Sequence, residues 1–109
     1  MHKIVVLYPP PDDRAHFARY YRETHLRLAA RLPGVIEMGY ALDLDAHGGP
    51  YYALFEATFD SAQSAAAAMA SPEGSAVEAD VPNYATGGAV VMGVPLVGVR
   101  PAPGRPPLD

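Results

Sequence analysis

The feature that most constrains the fold is a set of short β-type segments that are apolar on both faces. Residues 3–8 (KIVVLY), 51–59 (YYALFEATF) and 89–94 (AVVMGV) carry apolar side chains at both odd and even positions. Successive side chains of a strand point to opposite faces, and an antiparallel sheet with one face in water normally alternates apolar with polar residues. A sheet built from these segments must therefore cover both of its faces.

Two helical regions alternate with these strands. Between residues 14 and 32, large side chains recur at three- and four-residue spacings, which predicts one continuous helix ended by Pro33 and Gly34. Asp60 has capping-box spacing to Gln63 and predicts the start of a second helical region. The predicted buried face of the first helix carries Phe17, Tyr20, Tyr21, Thr24, Leu28 and Leu32.

The remaining segments complete a βαββαβ order. Residues 35–44 predict a strand followed by a loop over 45–50, and Ser71 before Pro72 predicts a short helix that runs to about Asp80. With right-handed crossovers, this order predicts an α+β, ferredoxin-like fold with a four-stranded antiparallel sheet and helices on one face only. We expect residues 1–99 to form one domain and the proline-rich residues 100–109 to form an extended or disordered tail.

One-sided helices leave the other apolar face of the sheet bare, which is unusual for a monomer. The simplest solution is a second copy packed sheet to sheet across a two-fold axis. We therefore predict a homodimer with a barrel-like core. The alternative is a monomer whose tail folds back over the sheet.

Composition narrows the classes of function. The chain has 109 residues, a formal net charge of −4 and no cysteine, which argues against nucleic acid as a partner and against cysteine chemistry. It has no apolar run near the ~20 residues that a membrane-spanning helix needs. We expect a cytoplasmic protein that does not bind a membrane.

The motifs of common cofactor sites are missing from the sequence. Gly48-Gly49 and Gly87-Gly88 lack the further residues of a nucleotide-binding loop, and the four histidines are scattered rather than spaced as metal ligands. We therefore expect no metal and no nucleotide cofactor.

The candidate for chemistry is His25 among tyrosines. Tyr21 lies four residues before His25, so the two meet on one side of the predicted helix. A neutral imidazole can move a proton near pH 7, and phenols can orient a substrate or stabilise an enolate-like oxyanion. The alternative is a structural histidine with one satisfied hydrogen bond, and the sequence leaves both interpretations open.

A polar group follows the third helix, in a loop that leads to the last strand. Asp80 and Tyr84 could line the mouth of a pocket or could only end helices and turns, whereas Asn83 fits a turn role better. His16 falls on the polar side of the first helix, where we expect it to be solvated.

Several motifs in order resemble the EthD family, within the dimeric α/β barrel superfamily. They are VVLYPPP at 5–11, FxxYYxxxHxxLAxxxPG at 17–34, MASPEG at 69–74 and DVPNYATGG at 80–88. The resemblance implies a ferredoxin-like subunit and a sheet-to-sheet dimer. It places the histidine of the family's YYxxxH motif on His25 and the family's Asp-x-Pro-Asn segment on Asp80, Pro82 and Asn83. Family members commonly carry a proline where this chain has Arg27, which predicts a straighter helix here.

Wider relatives implied by the resemblance include cofactor-free monooxygenases, isomerases and polyketide or aromatic cyclases or decarboxylases, with ligands held between sheet and helices. The leading hypothesis is a cofactor-independent enzyme acting on a small, apolar, oxygenated molecule, with His25 as the general acid or base. Tyr8, Tyr21, Asp80 and Tyr84 would bind the substrate. The alternatives are a non-catalytic binding or accessory protein and a haem- or metal-assisted oxidoreductase.

Overall fold

The alternating segments fold as one antiparallel sheet with helices on a single face in the computed structural model, which describes residues 1–104. The sheet order is β2-β3-β1-β4, which confirms the predicted α+β, ferredoxin-like fold. The strands are β1 (His2–Tyr8), β2 (Glu37–Ala41), β3 (Ala53–Phe59) and β4 (Val90–Pro95). The helices are α1 (Arg14–Tyr20), α2 (Leu26–Ala29), α3 (Ala62–Ala70) and α4 (Pro72–Asp80).

The register of the central strand β1 decides which apolar face meets the helices. Ile4 pairs with Ala57 of β3 and with Gly93 of β4, and Val6 pairs with Phe55. Ile4, Phe55 and Ala57 are buried and lie with helical side chains around one cavity. The even-numbered residues of β1 therefore face the helices.

The opposite face of the sheet stays partly open. Val90 and Met92 are 41% and 39% exposed, and the one ion pair that crosses this face within residues 1–104 joins Lys3 Nζ to Glu56 Oε1 at 3.1 Å. Val97 and Val99, just before the tail, are more than four-fifths exposed, and residues 100–104 of the tail are also exposed, so this described segment does not fold back over the sheet. The other apolar side chains of this open face are Val5, Leu7, Leu54 and Val94.

The predicted continuous α-helix over 14–32 is interrupted and ends earlier, at Ala29. The effect of Arg27 on the straightness of this region stays a prediction. A π-helical turn at Tyr21–His25 separates α1 from α2, and the Leu26 N–H donates to the carbonyl of Tyr21, five residues earlier. The wider turn keeps residues four apart on one side of the helix. Thr24 is consequently exposed, and the buried stripe consists of Phe17, Tyr21, His25 and Ala29.

Several element ends differ from the sequence prediction. The first strand after the helix is shorter than the predicted 35–44, and the next strand begins at Ala53 rather than at 51. Ser61, not Asp60, caps α3 by accepting a hydrogen bond from the Ser64 N–H, because its backbone is extended there. The predicted Ser71 cap and Pro72 start of α4 are confirmed.

The part of the tail over 105–109 lies outside the described residues. No helix within residues 1–104 is long and apolar enough to cross a bilayer.

Candidate active site

His25 ends the π-helical turn and is buried between the helices and the sheet, with 3% of its surface exposed. Its ring stacks on Tyr21, with centroids 5.3 Å apart, and packs 4.6 Å from the ring of Tyr84. Tyr21 and Tyr84, which are far apart in sequence, therefore hold the imidazole between them.

A carboxylate that lies 55 residues away in sequence fixes the tautomer of His25. The Nδ1 atom of His25 lies 2.9 Å from Oδ2 of Asp80, at the end of α4, and both side chains are buried. An ionised carboxylate only accepts hydrogen bonds, so Nδ1–H donates and Nε2 keeps its lone pair. Within residues 1–104, His25 makes its side-chain hydrogen bond through Nδ1 and none through Nε2, which leaves Nε2 free to accept a proton from a ligand.

Asp80 is held in place by two further donors. The Tyr20 hydroxyl donates to Oδ1 at 2.6 Å, and Nδ2 of Asn83 donates to the same oxygen at 2.9 Å. Burial opposes ionisation of Asp80, but the hydrogen bonds from Tyr20, Asn83 and His25 outweigh it and lower the pKa of the carboxyl. Asp80 is therefore an ionised partner for the imidazole at neutral pH.

Burial sets the protonation state of His25. Removal of the ring from water lowers its pKa below the ordinary value of 6.5, and the hydrogen bond and charge of Asp80 offset this only in part. At neutral pH the pair is a neutral imidazole beside an ionised carboxylate. This is the state that a general base requires.

A cluster of phenols packs against His25. The hydroxyls of Tyr8 and Tyr84 lie 2.8 Å apart, and the hydroxyl of Tyr21 is buried with no hydrogen-bond partner among the described residues. Burial raises the pKa of all three phenols, so they stay protonated and can act as donors.

A cavity of about 160 Å³ lies between the sheet and the helices. Its polar lining residues are Tyr8, His25 and Glu78, and the rest of its described wall is apolar. Those apolar residues are Ile4, Val6, Ala29, Leu32, Phe55, Ala57, Met69, Val77, Val81, Ala89 and Val91.

The structure brings the five predicted site residues together in two layers. His25 and Tyr8 line the cavity, whereas Asp80 and Tyr84 lie behind them as their hydrogen-bond partners. Tyr21 packs against the His25 ring and is not part of the cavity wall. The functional roles of these residues stay predictions.

Sequence reasoning missed three contributors to the site. Glu78 lines the cavity, and Tyr20 and Asn83 hold Asp80, although we expected only a turn role for Asn83. The signal available for Glu78 was its spacing of three residues to Val81, since residues three apart share one side of a helix. His16, which we expected to be solvated, instead places Nε2 3.1 Å from the backbone oxygen of Asn83.

Residues 1–104 contain no cluster of three or more histidine, aspartate or glutamate side chains that could hold a metal ion.

Comparison with known sequences finds a match over most of the chain. The model of the EthD domain matches residues 9–88. An uncharacterised 11.0 kDa protein from the thcB–thcC intergenic region of Rhodococcus erythropolis is 35% identical over 94 residues, which cover 84% of this chain and 91% of the relative.

Solved structures share the fold. An ethyl tert-butyl ether D (EthD) family protein from Bacillus halodurans has a TM-score of 0.81 at 27% identity, over 89% of this chain and 99% of that one. A dimeric ferredoxin-like protein of unknown function from Thermobifida fusca has a TM-score of 0.70 at 18% identity, over 87% and 90%. SnoaB, a cofactor-independent oxygenase from Streptomyces nogalater, has a TM-score of 0.67 at 14% identity, over 93% and 97%. The last two likenesses concern the fold alone.

Proposed function

The chain belongs to the EthD domain family, and from that premise we propose that it is a cofactor-independent enzyme that moves a proton on a small, apolar, oxygenated molecule. His25 is the general base and then the general acid. The observation that carries this proposal is the buried His25–Asp80 pair at the wall of an apolar cavity. Asp80 occupies Nδ1 and does not line the cavity, so Nε2 is the ring atom available to a ligand.

The chemical step needs only the residues of this site. Nε2 of His25 removes a proton from a C–H bond beside a ligand carbonyl, and the electron pair of that bond moves into the carbonyl to form an enolate. The imidazolium is stabilised by the Asp80 carboxylate, and the enolate oxygen accepts a hydrogen bond from the Tyr8 hydroxyl. Return of the proton to another atom of the ligand completes an isomerisation and regenerates the base.

The hydroxyl pair of Tyr8 in the cavity wall and Tyr84 behind it supports the proposed hydrogen bond to the enolate oxygen. Because the Tyr84 hydroxyl can donate to the Tyr8 oxygen, the Tyr8 O–H is free to point at a ligand. Polarisation along this chain of two hydroxyls strengthens the outer hydrogen bond. Cyclisation, decarboxylation and cofactor-free oxygenation can all proceed through an enolate or a related anion. The structural neighbour SnoaB, a cofactor-independent oxygenase, is an example of such an activity on this fold in another protein.

The test is proton exchange at a simple ketone. We expect the protein to accelerate exchange of the methyl protons of acetophenone in deuterated water, followed by NMR. His25→Gln keeps a hydrogen-bond donor for Asp80 but cannot act as a base, so the rate should fall by about 100-fold or more. His47→Gln changes the same residue type at an exposed position of the turn between β2 and β3, away from the cavity, and should exchange at the parent rate.

Equal exchange rates for the parent protein and His25→Gln would contradict the role of His25. Binding of acetophenone with no acceleration in any variant would instead favour the binding-protein hypothesis.

We further propose that the protein is a homodimer joined through the open face of the sheet. The apolar side chains of that face include Val90 and Met92, which are partly exposed in the single chain. The described dimeric neighbour of the same fold supports this assembly. The dimer would leave the cavity free, because the cavity lies on the helical side of the sheet.

We also propose that residues 1–99 form one domain followed by a tail over 100–109, and that the protein is cytoplasmic.

A further inference from the structure

We propose that the cavity takes a neutral molecule the size of a single ring, with a carbonyl or phenolic oxygen beside His25 and Tyr8, and that it rejects polycyclic molecules and carboxylates. This inference rests on the proposed function in one respect, since it takes the His25 cavity as the ligand site. It goes further by naming the size and the charge of the ligand.

The size follows from the volume and the walls of the cavity. A volume of about 160 Å³ is close to that of an apolar cavity in another protein, of about 150 Å³, that holds one benzene. Ile4, Phe55 and Ala57 come from the two central strands and are at most 8% exposed, so this wall belongs to the packed core. Close-packed cores resist displacement. A second fused ring would have to push strands and helices apart or extend past the rim into solvent.

The neutral charge of the ligand is inferred from the polar residues of the cavity wall. Glu78 carries the one carboxylate of the described lining, and no lysine or arginine lines the cavity among residues 1–104. The ionised Asp80 lies directly behind His25. A ligand carboxylate would lose its water shell, find no cation in the described wall and lie near the ionised Asp80, which is strongly unfavourable. Glu78 is exposed to solvent, so its charge adds only a weaker repulsion that water screens.

The oxygen atom of the ligand is inferred from the hydrogen-bonding capacity of the cavity wall that remains available to a ligand. Nε2 of the neutral His25 can accept a proton, and the Tyr8 hydroxyl can donate a hydrogen bond. A ketone with an adjacent C–H, or a phenol, satisfies both groups at once. An apolar ring that carries such an oxygen matches the polar and apolar parts of the wall.

The experiment is a titration series measured by isothermal calorimetry. We expect acetophenone to bind about tenfold or more tightly than 2-acetonaphthone, which adds one fused ring, and than benzoate, which replaces the acetyl group by a carboxylate. Hydrophobicity alone predicts the reverse order for the two ketones, because the larger one removes more apolar area from water.

Variants of the cavity wall test the cause of the preference. Met69→Ala enlarges the cavity and should bring 2-acetonaphthone to within about threefold of acetophenone, with Val77→Ala as the substitute if that variant does not fold. Leu28→Ala removes a similar side chain from a separate groove and should leave the preference unchanged. Glu78→Gln should narrow the gap between acetophenone and benzoate by only about twofold, because Glu78 is exposed and water screens its charge.

Two results overturn the inference: 2-acetonaphthone or benzoate binding as tightly as acetophenone to the parent protein, or no detectable binding of acetophenone. Failure of the proposed function gives a different result. His25→Gln would then exchange protons at the parent rate while the preference for one neutral ring persists.

Discussion

At the residue scale, the chemistry of the site comes from the environment of one histidine. His25 is nearly free of solvent contact, yet its Nδ1 atom has a carboxylate partner with two further donors of its own. This arrangement keeps the imidazole neutral and oriented, with Nε2 available at the cavity. The same burial also makes the stability of the protein sensitive to acid.

That sensitivity leads to a prediction about pH. Because the folded state lowers the pKa of His25 below 6.5, the unfolded chain binds this proton more readily, and stability falls as pH drops below about 6.5. Urea unfolding of the parent protein between about pH 7 and about pH 5 should show this fall. In His25→Gln the dependence should be clearly flatter, whereas Ser75→Ala, an exposed substitution that changes no titratable group, should keep the parent slope.

A parent protein whose free energy of unfolding is constant over this range would show that the folded state does not disfavour charging of His25. The lowered pKa of Asp80 acts in the same direction but at lower pH. Its contribution is present above the ordinary value of 3.8 and is lost as pH falls through the folded pKa, so it does not obscure the effect of His25.

At the element scale, two local structural features position the residues that line the cavity. The π-helical turn at Tyr21–His25 rotates His25 onto the buried stripe, and it forms although Arg27 replaces the proline common in the resembled family. The corner between α3 and α4 brings Met69, Val77 and Glu78 to the cavity. Ser71 makes this corner compact, because its side chain accepts from the Gly74 N–H.

The corner between α3 and α4 leaves no space for a side chain at Gly74, so this position tests how tightly the corner is packed. A Cβ atom at this residue would overlap the backbone carbonyls of Ala68 and Met69, which cannot move without disturbing α3. Gly74→Ala should therefore lower the free energy of unfolding by about 1–3 kcal/mol, measured by urea titration. Ser75→Ala, at an exposed position of the same helix, should change it by less than about 0.5 kcal/mol.

Helix propensity alone predicts the opposite sign for Gly74→Ala, because alanine is favoured over glycine by about 1 kcal/mol within a helix. A variant as stable as the parent, or more so, would show that the corner can relax.

At the scale of the whole molecule, the two faces of the sheet have different structural roles. The helical side forms the core and the cavity, and the open side keeps exposed apolar side chains that we assign to a second copy. Adjacent residues of β4 point to opposite faces of the sheet. One substitution on each face can therefore test which face forms the dimer interface.

The prediction for assembly uses this alternation. Met92→Lys places a charge on the open face and should convert the dimer to a monomer at micromolar concentration, measured by size exclusion with light scattering. Val91→Lys places the same charge one residue away, on the helical side, and should leave the dimer intact. A monomeric parent protein, or a dimeric Met92→Lys variant, would contradict the sheet-to-sheet assembly.

The sequence by itself determined the type and the order of the elements, because the periods of strands and helices and the signals of caps such as Ser71 are local. It also determined that both sheet faces are apolar and that His25 is the candidate for chemistry. Only the tertiary structure decided which face meets the helices, since a period of two residues is the same for either choice. It also decided that Asp80 meets His25 across 55 residues and that Glu78 enters the cavity, because such contacts depend on how the whole chain crosses the sheet.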